Sequence, residues 1–201
     1  MNYPSQVLEL VVNEFAKLPG IGKKTALRLA LHLIKRNQQD LLFFSESLKK
    51  LANEIRYCEQ CHNVSDAAIC DICSSFSRKK DQLCVVEDLR DVMAIENTQQ
   101  YFGVYHVLGG VIAPMEGIGP DALNMDSLIK RVEKGEIKEI ILALNATMEG
   151  DTTAFFISKK LQPFGVKIST ISRGIAVGGE LEYADEITLG RAITSRVNYG
   201  G

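Results

Sequence analysis

Apolar residues recur at helical spacing over the first third of the chain and at strand spacing over most of the rest. Leu8, Val11, Val12 and Phe15 fall on one face of a helix that Ser5 can cap, and Leu27, Ala30, Leu31 and Ile34 mark a second. Leu48, Leu51, Ala52 and Ile55 predict a third helix over 45–57. From about residue 81 the pattern changes. Runs at 83–87, 104–108, 139–144 and 166–171 read as short apolar strands, with helical stretches between them at 88–97, 121–134 and 152–162. Strands alternating with helices predict an α/β domain with a mainly parallel sheet, whose ligands gather at the carboxyl ends of the strands.

Between the first two helices stands Leu18-Pro19-Gly20-Ile21-Gly22-Lys23-Lys24-Thr25-Ala26. Pro19 ends one helix, and the glycines allow a tight turn into the next. Such a turn leaves backbone N–H groups unpaired at a helix N-terminus, where a phosphate oxygen can sit. Lys23, Lys24 and Arg28 lie beside it. This is a helix-hairpin-helix pattern suited to the DNA backbone; an ordinary αα-hairpin is the alternative. Charge along the chain agrees. Residues 1–56 hold nine Lys and Arg against five Asp and Glu, a net of +4, while residues 81–201 hold eleven against seventeen, a net of −6. A basic head on an acidic body suits an anionic partner at the N-terminal end. His32, on the second helix, is expected to be partly buried and hydrogen-bonded.

Two CxxC pairs follow, Cys58-Glu59-Gln60-Cys61 and Cys70-Asp71-Ile72-Cys73, with eight residues between them. Together they can give Zn²⁺ a closed tetrahedral shell of four sulfurs, which holds a small module together and does no chemistry of its own. Disulfides rank lower: the opening MNYPSQVLEL carries no export pattern, so the thiols are expected to stay reduced. His62 completes a CxxCH haem-attachment pattern, but a second CxxC so close is better explained by one metal site. His62 is then expected in an exposed loop, and Cys84 inside a buried strand. Arg78-Lys79-Lys80 reads as a solvated exit loop that could also touch DNA.

Acidic residues stand after two of the strands: Glu87 with Asp91 one turn on, and Glu149-Gly150-Asp151 after a loop from Asn145. Clustered carboxylates can hold Mg²⁺ for work on phosphates. Asp88 and Asp151 also suit helix N-caps, which weighs equally. No nucleophile or general base stands beside them, and the chain has no phosphate-binding Gly-x-x-x-x-Gly-Lys-Ser/Thr loop. No apolar run is long enough to span a membrane.

The order of these parts resembles the bacterial recombination mediator family RecR along nearly the whole chain. The matching segments are LPGIGKKTALRLA, CEQC with CDIC, VVED-LRD at 85–91, GGVIAPMEGIGPDAL at 109–123, LALNATMEGDTTA at 142–154 and VGGELEYADEITL at 177–189. The resemblance implies a helix-hairpin-helix region (1–56), a four-Cys zinc finger (57–80), a Toprim-type α/β domain (81–173) and a C-terminal Walker-B-like segment and tail (174–201). It implies Cys58, Cys61, Cys70 and Cys73 as zinc ligands, Gly20, Gly22, Lys23, Lys24 and Arg28 at DNA, and Glu87, Asp91, Glu149 and Asp151 as Toprim acids. Ala146 and Ala176 stand where the family usually has proline, and Glu-Gly-Asp where catalytic Toprim proteins usually have Asp-x-Asp.

The same resemblance implies a non-catalytic, cytoplasmic, nucleoid-associated DNA-repair protein. It would form a dimer-to-tetramer ring and act with RecO, and in some cases RecF, to load RecA at single-strand gaps. Weak phosphate contacts repeated around a ring would combine by avidity. The rival is an enzyme, a Mg²⁺-dependent Toprim nuclease acting on DNA. A topoisomerase needs a tyrosine-bearing domain that 201 residues do not leave room for.

Overall fold

The computed structural model describes residues 3–175, 178–196 and 198. The chain divides into two compact units, residues 1–55 and 56–201. Ala176 and Val177, two positions of the family comparison, lie outside the described residues.

The first unit is helical: α1 (Gln6–Ala16), α2 (Lys23–Ile34) and α3 (Gln38–Glu54). Ser5 caps α1 as expected, its hydroxyl accepting from the Leu8 N–H. The small core joins α1 and α2: Val12, Ala26 and Ala30 are buried, and Leu8, Phe15, Ile21 and Leu27 pack around them. His32 is exposed, not partly buried, because it lies off the Ala26, Leu27 and Ala30 face of α2 that packs with Val12 of α1. The third helix starts seven residues earlier than the apolar face suggests. Asn37 caps it, its Oδ1 accepting from the Asp40 N–H at 2.8 Å. No residue of α3 is buried, so the periodicity there marks an uncovered face. Ile55, extended at φ −64° and ψ 137°, ends the helix before Cys58.

The second unit opens with an antiparallel pair, β1 (Arg56–Tyr57) and β2 (Val64–Ser65), and a short helix, α4 (Asp71–Ser74). Then β3 (Lys79–Val86), α5 (Leu89–Asn97), β4 (Gly103–Val107), α6 (Met125–Glu133), β5 (Glu139–Ala143), α7 (Met148–Leu161) and β6 (Lys167–Thr170) alternate, and α8 (Glu186–Thr194) follows. The sheet is wholly parallel in the order β4-β3-β5-β6. Strand periodicity divides the core. Leu83 and Val85 face a cluster with Leu128 and Val132 of α6 and Ile157 and Leu161 of α7. Cys84 and Val86 face the opposite cluster with Val92 of α5, and Ile72 of α4 packs on it. Cys84 is a buried strand residue, and burial pushes its thiol up to about 12.

Three local expectations need correction. Arg78-Lys79-Lys80 is no solvated exit loop. Arg78 is held by Glu96 and by the Tyr101 carbonyl, and β3 begins at Lys79. The Lys80 ammonium donates to the Cys73 carbonyl at 2.6 Å. His62 is half-buried, because its left-handed backbone (φ +62°) turns the ring onto the sheet unit. Asp88 does cap α5, with a reciprocal bond from Asp91, but Asp151 caps nothing. Thr147 caps α7, accepting from the Gly150 N–H at 3.0 Å, so Asp151 lies inside the helix.

Candidate functional site

The four cysteines converge. Sγ of Cys58, Cys61, Cys70 and Cys73 all lie within 4.8 Å of one another, and all four residues are buried. Local turns bring them there. The Cys58 N–H donates to the Asn63 carbonyl (2.7 Å) and the His62 N–H to the Cys58 carbonyl (2.9 Å), closing the first CxxC as a knuckle. Cys70 starts α4, which carries Cys73 round one turn, and the Cys70 N–H donates to Cys58 Sγ at 3.3 Å. Cys61 and Cys70 Sγ are 3.5 Å apart, near the ~3.8 Å that a tetrahedron with Zn–S bonds of about 2.3 Å requires.

No disulfide joins them. The thiols shift one another: Cys61 is pushed up, first by its hydrogen bond with Cys73 and then by burial. Cys73, on the other side of that bond, comes down to about 6. Four sulfurs crowded in this way suit a soft divalent cation that takes them as thiolates.

The knuckle is fastened to the α/β sheet. The Val107 N–H donates to the Cys61 carbonyl at 2.8 Å, and His62 Nε2 meets Ser127 Oγ at 2.8 Å. The His62 ring stands edge-on to His106, with centroids 5.2 Å apart. His106 is fully buried and its Nε2 donates to the Asn124 carbonyl at 2.8 Å; burial lowers its pKa to about 3. Nothing in the spacing of the sequence singled out Ser127, His106 or Asn124.

In the first unit, Gly20 takes the left-handed conformation (φ +74°) that the turn needs. Gly22 is the N-cap of α2 and offers no side-chain bond, and no acidic residue stands in the first turn. A Cβ at Gly22 would meet nothing within 4 Å and its φ is an ordinary −82°. Internal packing therefore does not demand glycine here, whereas close approach by an outside group would. Lys23, Lys24 and Arg28 are all exposed beside this end. The arrangement joins free N–H groups, the positive end of a 12-residue helix and three cations.

The acids behave differently. Glu87 takes the Asn145 backbone N–H on Oε1 (2.6 Å) and the Asn145 side-chain amide on Oε2 (2.7 Å). Asp91 Oδ2 accepts from the Glu87 and Asp88 N–H groups at 3.1 and 2.9 Å. Asp151 accepts from Arg173 at 2.5 Å and lies 3.8 Å from Arg191. The Arg173 hydrogen bond holds the Asp151 carboxyl below the usual range. Glu149 is exposed on the first turn of α7. Among the described residues the cysteines are the only group of three or more such side chains close enough to share an ion. Gly150 is where the loop and helix touch: a Cβ there would stand 2.1 Å from the Asn145 carbonyl oxygen.

Comparison with known proteins now bears on all three regions. Residues 8–52 match the RecR helix-hairpin-helix model, 55–75 the RecR four-cysteine zinc finger domain, 81–172 the Toprim domain and 174–197 the RecR C-terminal model. The chain is 62% identical to Recombination protein RecR of Cytophaga hutchinsonii, over 98% of this chain and 96% of that one. It is 57% identical to that of Bacteroides thetaiotaomicron and 55% to that of Flavobacterium johnsoniae, each over 99% of this chain and 97% of the relative.

The chain belongs to the RecR family.

Structural zinc follows as its cofactor, since the matched zinc finger spans all four converging sulfurs. The helix-hairpin-helix, zinc finger and Toprim domain occur in the expected order. Sequence reasoning missed Asn145, Arg173 and Arg191, which determine what the Toprim acids touch. Asn145 was visible as the first residue after an apolar strand; the arginines gave no local signal. Among the described residues no helix is long and apolar enough to cross a membrane.

Proposed function

We propose that this RecR-family chain is a DNA-binding mediator of recombinational repair that performs no chemistry itself. The observation that carries the reading is the N-terminus of α2, uncapped by any side chain and flanked by exposed Lys23, Lys24 and Arg28. Gly20 shapes the turn and Gly22 clears the approach, so a backbone phosphate meets N–H donors and cations without any base being read. In this reading Cys58, Cys61, Cys70 and Cys73 are the zinc ligands, and zinc keeps residues 57–80 folded against the Toprim domain of 81–173. Residues 1–56 form the DNA-binding region and 174–201 the C-terminal segment and tail.

The acids then serve binding. Glu87, Asp91 and Asp151 are already committed to internal donors, which supports a shaped acidic surface for RecO, and for RecF where it is used. The assembly would be a ring of several copies, acting in the cytoplasm at the nucleoid to load RecA at single-strand gaps. Uncovered apolar side chains of the first unit, Phe43 (77% exposed) and Leu10 (64%) among them, fit an assembly that covers them.

End-labelled gapped duplex DNA incubated with the protein and Mg²⁺ tests this reading in one reaction. Intact strands, with retardation that weakens as salt rises and is lost in Lys23→Gln/Lys24→Gln, are expected. Shortened strands, abolished by Glu87→Ala, would overturn it in favour of a Mg²⁺-dependent nuclease.

A further inference from the structure

Arg131 stands out by its company. It sits on α6 with only 9% of its surface exposed. Among the described residues no carboxylate lies within 4.0 Å of its guanidinium. Its Nη1 donates to two carbonyls, Tyr105 at 2.7 Å and Gln60 at 3.4 Å. Carbonyl dipoles satisfy N–H groups without cancelling charge, and a buried charge without a counter-charge is costly.

Two carboxylates, Glu59 and Glu136, line the same cleft as Arg131, but neither comes within 4.0 Å of the guanidinium. Imidazoles supply no anion either: burial first, and the Arg131 charge with it, push the His106 pKa down. What Arg131 does face is the metal knuckle. Gln60 lies in the turn between Cys58 and Cys61, and Arg131 and Cys73 line the same cleft of about 590 Å³. Four thiolates around one Zn²⁺ leave a formal double negative charge, in a site whose four cysteines are all buried.

We propose that Arg131 is the counter-cation of the zinc–thiolate cluster, carried by helix α6 of the α/β domain, so that zinc occupancy and the packing of α6 stabilise each other. Lys130 and Lys134 line the cleft too, but of the lysines it is Lys80 that bonds the knuckle, at the Cys73 carbonyl. It is exposed, and water screens its charge where Arg131 is shielded from water. The coupling is reciprocal: whatever Arg131 adds to zinc affinity, bound zinc adds to the stability of the α6 face. Arg131 would thus add a charge link to the Val107 and Ser127 hydrogen bonds that already join the zinc finger to the Toprim domain.

The proposal rests on the cysteines holding zinc, which the metal content of the purified native chain reports separately. Zinc affinity, read by competition with a chromogenic chelator, is the test. Arg131→Gln keeps a donor for the Tyr105 carbonyl but removes the charge, and is expected to lower affinity about 10- to 100-fold. Arg131→Lys keeps the charge and is expected to stay within about threefold of native, and Lys80→Gln within about twofold.

Equal losses for the Gln and Lys variants, or no loss for Gln, would show Arg131 to be a strut between carbonyls and overturn the proposal. A native chain without zinc would overturn the zinc reading and the proposal with it. If Arg131→Gln does not fold, hydrogen exchange on the native chain decides. Amides of α6 should exchange faster once zinc is withdrawn, and unchanged protection there would overturn the coupling.

Discussion

Four cysteines and four carboxylates were both candidate metal shells, the cysteines the stronger, and among the described residues only the cysteines close on a point. The cysteine cluster is built by short-range geometry: two CxxC turns and one turn of α4 bring the sulfurs within 4.8 Å. The acids depend on distant partners. Asn145 captures Glu87 across 58 residues of chain, and Arg173 captures Asp151 across 22. Ligands that converge through local turns form a site by themselves. Ligands that must converge through tertiary structure can be claimed first by donors, and here they are. The zinc end of the second unit is therefore held by metal, and the acidic end by hydrogen bonds and ion pairs.

The sharpest way to break the contrast is at the cysteines. Cys73→Ser should lose zinc and unfold the knuckle. A structural zinc contributes about 10–16 kcal/mol of binding free energy, and removing one ligand forfeits a large share of it. Metal analysis and thermal unfolding would both register the loss.

A smaller effect is expected at the acidic end from Gly150→Ala. Its Cβ would stand 2.1 Å from the Asn145 oxygen, so the 145–147 loop must shift and the Glu87–Asn145 bonds with it. Overpacking of this kind costs about 1–3 kcal/mol, measurable as a lowered unfolding midpoint with zinc content unchanged.

The smallest effect belongs to Asp151→Asn. The side chain is 44% exposed, so solvent screening holds the ion pair with Arg173 to about 0.5 kcal/mol. Because the folded carboxyl is depressed, that contribution is present above the ordinary aspartate pKa and is lost as pH falls through the lower folded value. The native and Asp151→Asn chains should therefore differ at neutral pH and converge in acid, which denaturant melts across pH would show.

The sequence was most legible where structure is local or periodic. Three of the four main strands begin within one residue of their expected starts; β3 begins four residues early, at Lys79, which pairs with Gly103 of β4. Ser5 and Asp88 act as caps because a cap needs only its own first turn. Thr147 was overlooked although it stands three residues before Gly150, and recognising it would have placed Glu149 and Asp151 inside α7. The apolar face of α3 misled because periodicity reports a face without saying what covers it. His62 was misread and Arg131 left unread because their hydrogen bonds are long-range, His62 to Ser127 across 65 residues and Arg131 to Gln60 across 71.

Metal is expected to bind this chain through its sulfurs and not through its carboxylates. The most direct measurement is the unfolding midpoint of chelator-treated protein after adding back Zn²⁺ or Mg²⁺ alone. Zn²⁺ at one equivalent per chain should restore the native midpoint while millimolar Mg²⁺ leaves the stripped value unmoved. A rise on Mg²⁺ alone that disappears in Glu87→Ala would contradict the account, because it would place a metal among the Toprim acids.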